Sequence, residues 1–249
     1  MSLPGITAET GSVSAAGVRD KLIVALDFPG ATAALQVVRR LEGLVQWFKI
    51  GLELYLAEGN SIIERVQELG YSVFLDLKLH DIPNTVAGAV RSVAKTGAEM
   101  LTVHAAGGPA MLAAAQEAAA AAPSGPKLLA VTVLTSMDAT QLCATGVHSS
   151  PRDQVSRLAS IAYTAGIHGL VTSTEEVSGL RAAYSDATLV IPGIRPAGAA
   201  IGDQKRVATP ASAIAAGADY LVVGRPITQA ADPAAVVQAI LDEIASVKA

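Results

Sequence analysis

The sequence predicts a single closed (β/α)8 barrel, the TIM-barrel architecture, in which eight parallel strands alternate with helices. Three observations carry that prediction. The chain has 249 residues, ordinary for one such barrel, which runs to about 250. It is 51% apolar but only 4% aromatic, so its core is built from Ala, Val, Leu and Ile, as suits parallel strands covered on both faces. A rhythm also recurs: a Leu-rich or β-branched run, a polar or Gly/Pro turn, an Ala-rich helical stretch, then a glycine. Gly70, Gly97, Gly166 and Gly217 each stand just before a strand candidate. A glycine past a helix end supplies the left-handed conformation that closes the helix at little cost, so its repeated position implies one repeated helix-to-strand connection.

In chain order, residues 1–20 are small and polar with no periodicity, and read as a flexible N-terminal arm. Residues 21–249 form the barrel domain. Strand candidates fall at 22–27, 47–51, 73–78, 100–104, 128–134, 169–172, 189–191 and 220–223. Between them, 31–43, 61–69, 85–96, 109–122, 151–165 and 174–183 carry helix-length apolar patterning. An open doubly wound sheet is the competing architecture, but no GxGxxG turn follows the first strand to support a dinucleotide site.

Composition narrows the function. A mean hydropathy of +0.43 raises the question of a membrane span, yet Gly, Pro or charge interrupts every apolar run well short of the roughly 18 residues a span needs. The net charge is −4 and no Lys/Arg run marks a nucleic-acid footprint, so neither membrane nor nucleic acid is an expected partner. Cys143 is the single cysteine, which forbids an intrachain disulfide. No basic start followed by an apolar core marks a signal peptide, and the cytoplasm is the expected compartment.

In barrels of this kind the active site lies at the carboxyl ends of the strands, which turns the strand list into a site. Those ends carry Asp27, Lys49, Asp76, Lys78, His104, Thr135, Arg195, Gly224 and Arg225. Asp76 and Lys78 are two apart and share one strand face, with Leu75, Leu77 and Leu79 on the other. Asp81 follows just past the strand. Buried charge costs several kcal/mol, roughly, unless paired, so this cluster is either an ion-pair network plugging the barrel mouth or a place where charge does chemistry. The cluster has no cysteine and no close histidine pair, which argues against structural zinc and leaves a hard cation open. Flanking carboxylates suit Lys78 to act as an ammonium proton donor rather than as a neutral amine. Loops after the seventh and eighth strands frequently bind phosphate; Arg195, Gly224 and Arg225 at the opening of the last helix fit that chemistry. A surface ion pair is the alternative for Arg225. His80 and His104 receive no role.

The blocks VALDF, FLDLKLHDIPNTV, VTVLTS, PGIRP, GDQKRVATP and VVGRPIT resemble, in order, those of the bacterial-type orotidine 5′-phosphate decarboxylase family, from about Lys21 to the C-terminus. The resemblance implies conversion of orotidine 5′-monophosphate to UMP and CO2 in pyrimidine synthesis, with no metal or organic cofactor. It implies that Asp27 and Lys49 contact the ribose, that Asp76 stands beside the departing carboxylate, and that Lys78 protonates C6. Asp81 and Thr85 would reach the neighbouring subunit's site, implying a homodimer with shared active sites. Thr135 would contact the pyrimidine edge. Arg195, Gln204, Gly224 and Arg225 would grip the phosphate, Gln204 also reaching the base. The tip at 196–202 lies outside the resemblance, and its Gly/Ala/Pro content is compatible with a mobile lid. Two rivals remain: a Mg²⁺-dependent sugar-phosphate decarboxylase or aldolase of the same barrel superfamily, and a non-catalytic phosphate-binding barrel.

Overall fold

The structure, a computed structural model, describes residues 15–196 and 208–247. Its strands are β1 (Leu22–Ala25), β2 (Trp47–Gly51), β3 (Ser72–Leu79), β4 (Met100–His104), β5 (Lys127–Val131), β6 (Gly169–Val171), β7 (Thr188–Ile191) and β8 (Tyr220–Val223). They are parallel and pair in sequence order, and β8 returns to β1 through Leu22↔Leu221, Ile23↔Val222 and Val24↔Val223, closing the ring.

Strand alternation sorts the core into two layers. Inward positions such as Ile23, Phe74, Met100, Leu129 and Val222 fill the barrel. Outward ones such as Val24, Phe48, Leu75 and Leu101 pack beneath the helices. The six helices read from the sequence appear with ends moved by up to three residues, the one at 174–183 unchanged, and a last helix follows the eighth strand as expected; five shorter ones were not foreseen. In chain order the helices are α1 (Ala15–Arg19), α2 (Ala31–Arg40), α3 (Leu52–Glu58), α4 (Ser61–Glu68), α5 (Pro83–Val93), α6 (Gly108–Ala120), α7 (Ala139–Ala144), α8 (Pro151–Thr164), α9 (Thr174–Ala183), α10 (Pro210–Ala215), α11 (Arg225–Thr228) and α12 (Pro233–Ala245). Local chemistry fixes several starts. Ser150 and Asp232 accept backbone N–H bonds in the first turns of α8 and α12, each just ahead of a proline that lacks the N–H a helix start cannot use. The four glycines singled out in the sequence all take positive φ, from 77° at Gly97 to 105° at Gly217, and each leads into the next strand.

Two expectations need correction. The 1–20 arm is not wholly unstructured, because Ala15–Arg19 is helical and Val18 is buried against the core; residues 1–14 lie outside the described part. Arg225 does not open the last helix. It opens the single-turn α11, and α12 follows only at Pro233. Among the described residues no helix is long and apolar enough to cross a membrane.

Candidate active site

The charged side chains meet at the carboxyl-terminal mouth of the first three strands. Lys49 Nζ lies 3.0 Å from Asp27 Oδ1 and 3.4 Å from Asp76 Oδ2, and Lys78 Nζ lies 2.8 Å from Asp76 Oδ1. Acid and base therefore alternate in the order Asp27, Lys49, Asp76, Lys78. The inner pair is nearly dry, with 11% of the Lys49 side chain and 10% of the Asp76 side chain exposed, whereas Asp27 at 58% and Lys78 at 32% border solvent. Burial alone would push the Lys49 pKa down, but the Asp76 and Asp27 carboxylates overcome it and the net shift is upward. For Asp76 burial pushes up, and Lys49, Lys78 and the hydrogen bonds from Lys78 and Thr102 bring the net shift down. Both remain ionised, as a mutually paired cluster requires.

Lys78 reaches this network through an irregular stretch of backbone. Leu75 pairs with Leu101 and Leu79 with Val103, so Asp76, Leu77 and Lys78 together stand opposite the single residue Thr102. This bulge bends β3 and leaves Lys78 at φ 51°, the one non-glycine residue with positive φ among those described. A lysine held there costs on the order of 1–3 kcal/mol, and such strain persists only where the surroundings over-determine it. Here they do. The Lys78 N–H donates to Thr102 Oγ1 at 2.8 Å, the Thr102 hydroxyl donates to Asp76 Oδ1 at 2.9 Å, and the Lys78 ammonium donates to both Asp76 oxygens.

The network shares a cleft of about 310 Å³ with Thr135, Arg195, Gly224 and Arg225; Gly224 stands on the Asp27 side, where a Cβ would lie 3.7 Å from Asp27 Oδ2. That volume is at the small end of ordinary ligand pockets. Thr135 reaches the cleft from the loop beyond β5, four residues after the strand ends at Val131. The Arg195 N–H donates to Ala208 O at 2.9 Å, which fixes the start of the loop after β7. Burial first and the nearby Arg225 second lower the Arg195 pKa from its ordinary value, so two guanidinium groups share one region of the rim. A one-turn helix starting at Arg225 contributes little dipole, and the guanidinium groups are the main attraction for an anion here.

Not every expected residue lines the cleft. Asp81 and Thr85 are exposed and stand outside it, the Asp81 carboxylate accepting its neighbour Ile82's N–H at 2.6 Å. Gln204 and most of the 196–202 loop lie outside the described residues. Two residues escaped the sequence reading. Thr102 is 1% exposed, and its signal was a polar side chain at an inward position of β4, between Met100 and His104. Gly51 follows Lys49 at the next inward position of β2; a Cβ there would lie 2.9 Å from both Asp27 Oδ1 and Lys49 Nζ. His80 and His104 lie with ring centroids 5.4 Å apart and their planes tilted by 35°, and burial, His80 and Lys78 together lower the His104 pKa against the pull of Asp76. Among the described residues no three His, Cys, Asp or Glu side chains cluster to hold a metal ion.

Comparison with known proteins shows the family and the fold. A model of the Orotidine 5′-phosphate decarboxylase / HUMPS family matches residues 20–240. The chain is 52% identical over 227 residues to an orotidine 5′-phosphate decarboxylase of Halorhodospira halophila, covering 91% of this chain and 96% of that one. It is 53% identical over 222 residues to the enzyme of that name from Anaeromyxobacter dehalogenans, covering 89% and 96%. The crystal structure of orotidine 5′-phosphate decarboxylase from Lactobacillus acidophilus superimposes with a TM-score of 0.80 at 38% identity, over 90% of this chain and 99% of that one.

Proposed function

The chain belongs to the Orotidine 5′-phosphate decarboxylase / HUMPS family and decarboxylates orotidine 5′-monophosphate to UMP and CO2 in pyrimidine biosynthesis; we propose that Lys78 is the proton donor to C6 and that no metal or organic cofactor takes part. The observation that carries this reading is the alternating network with Lys78 Nζ at 2.8 Å from Asp76, sharing one cleft with two arginines. In this reading Arg195, Arg225 and the Gly224 backbone hold the phosphate, with Gln204 completing the grip. Asp27 and Lys49 hold the ribose hydroxyls, and Thr135 meets the pyrimidine edge. A dianionic phosphate relieves the like-charge contact between the two guanidinium groups, which favours its binding there.

The substrate's carboxylate then lies beside Asp76. When the C6–carboxylate bond breaks, its electron pair stays on C6 and CO2 departs. The Lys78 ammonium, already aimed at the site, stabilises that pair more as it develops than it stabilises the ground state, which is what lowers a barrier. A proton moves from Nζ to C6, giving UMP, and the amine regains a proton from solvent. Phosphate contacts remote from C6 contribute to rate as well as affinity when they close the mouth and exclude water.

The protein acts as a homodimer with shared sites in this proposal, Asp81 and Thr85 serving the partner. Their exposure supports it, as do the exposed apolar side chains Leu52, Leu56 and Ile82, which follow the adjacent strands β2 and β3. The cytoplasm is the inferred compartment, where the exposed thiol of Cys143 stays reduced.

The test is the loss of orotidine 5′-monophosphate absorbance on adding purified protein, with and without EDTA. Equal rates are expected, and a rate abolished by EDTA would favour the Mg²⁺-dependent rival. Lys78→Ala is expected to lose nearly all turnover while binding UMP, and an active Lys78→Ala enzyme removes the proton-donor assignment. Shared sites predict that mixing inactive Lys78→Ala with inactive Asp81→Ala protein restores activity, because one site of each mixed dimer is intact. Failure of dissociated and reassociated mixtures to regain turnover overturns the shared-site arrangement.

A further inference from the structure

We propose that Thr102 is a positioning residue for the decarboxylation: its hydroxyl sets the direction of the Lys78 ammonium by holding the backbone of Lys78 and the carboxylate of Asp76 at once. The inference rests on the assignment of Lys78 as proton donor. A regular parallel strand would give the Lys78 N–H to a carbonyl of β4. At the bulge three residues of β3 stand opposite one residue of β4, and the ladder has no matching carbonyl in register. The donor goes to Thr102 Oγ1 at 2.8 Å instead. A hydroxyl has one hydrogen and two lone pairs. Its hydrogen is committed to Asp76 Oδ1 at 2.9 Å, so a lone pair is left facing the Lys78 N–H. The direction of each bond thus requires the other.

Thr102 is 1% exposed, so water does not replace it. The left-handed conformation of Lys78, φ 51°, is one a lysine does not choose unaided. Without the hydroxyl, the part-buried N–H loses its acceptor and Asp76 loses one of the bonds that orient it. The backbone then relaxes toward an ordinary extended strand and the ammonium swings off its line to C6. Misplacement by about 1 Å costs on the order of 100-fold in rate. The Thr102 hydroxyl bonds to Lys78 and Asp76 and not to the residues assigned to phosphate or ribose, and Asp76 keeps its contact with Lys49, so the loss falls mainly on kcat.

The experiment compares Thr102→Val, which keeps the shape and loses the hydroxyl, with Thr102→Ser, which keeps the hydroxyl and loses a methyl group. Steady-state kcat and KM are measured for both, and UMP affinity reports that the site is folded. Thr102→Val is expected to lower kcat by about 100-fold with KM and UMP affinity within about twofold of the parent, and Thr102→Ser to recover most of kcat. A Thr102→Val enzyme at full kcat overturns the proposal. So does a Thr102→Ser enzyme as slow as Thr102→Val, which would make the methyl contact the important one. Lys78→Ala assayed in parallel separates the two assignments: activity there removes the proton-donor reading itself, whereas an inactive Lys78→Ala beside a fully active Thr102→Val removes only the role of Thr102.

Discussion

Replacing Asp76 by asparagine removes one charge from the middle of the network while nearly conserving its shape. The carboxylate sits between Lys78 at 2.8 Å and Lys49 at 3.4 Å, so the variant leaves two ammonium groups facing a neutral amide. Removing one partner of a buried pair costs about 3–5 kcal/mol when the other is stranded. Two features here reduce that figure. Lys49 keeps Asp27 at 3.0 Å, and the Lys78 side chain is 32% exposed, which brings its share toward the roughly 0–1 kcal/mol of a solvated pair. The expected loss is about 2–3 kcal/mol. For a chain of this length each kcal/mol moves Tm by about 2–4 °C, so Asp76→Asn is expected to melt about 4–12 °C below the parent. Thermal and urea unfolding without nucleotide measure the effect free of any substrate contact. If the variant melts within about 1 °C of the parent, the network does not stabilise the barrel mouth and the reasoning from burial and pairing is wrong.

Three further outcomes are expected. Gly51→Ala places a Cβ 2.9 Å from the Asp27 and Lys49 tips and is expected to weaken UMP binding several-fold while leaving the melt near that of the parent; unchanged affinity would show that the pair accommodates the methyl group. Arg225→Ala loses a charge-assisted bond worth about 1.5–3 kcal/mol, which is about 10- to 100-fold in UMP affinity by titration calorimetry; affinity equal to the parent's would move the phosphate elsewhere. The pH dependence follows from the signs of the two shifts. Asp76 is lowered from 3.8, so its contribution to stability is whole above that value and is lost as pH falls through its folded pKa. Lys49 is raised from 10.5, so its contribution is whole below that value and is lost as pH rises through its folded pKa. Urea midpoints should therefore show the gap between parent and either Asp76→Asn or Lys49→Met narrowing on the acid side, as Asp76 takes up a proton, and again on the alkaline side, as Lys49 loses one. A gap that is constant through both limbs contradicts the assignment.

Much of this molecule was legible because strands alternate and barrels place chemistry at one end. Asp76 and Lys78, two residues apart, could be assigned to one face without any structure, and the glycines before β3, β4, β6 and β8 marked the connections. The helices α3, α7, α10 and α11 were not foreseen, because segments of 7, 6, 6 and 4 residues are too short to display a helical period and are held by what they pack against. Helix α1 escaped for the same reason, its hold on the barrel resting on Val18. The β3 bulge is a fact about pairing between two distant segments, and nothing local marks a lysine for positive φ. Thr102 was hidden with it, since threonine is an ordinary strand former until the residue opposite is known.

Closure of the ring has a mechanical consequence. Strands β1 to β3 come from the start of the chain and β7 and β8 from its end, and they meet along the seam where Leu22, Ile23 and Val24 lie beside Leu221, Val222 and Val223. In the proposed reading, a nucleotide held by Arg195 and Arg225 on one side and by Lys49 and Asp76 on the other lies across that seam like a clasp. Its binding energy then resists parting of the two chain ends as well as loss of the ligand, by RT ln(1 + [L]/Kd) at free concentration [L]. The first and last strands of the barrel are thereby tied to the occupancy of the cleft.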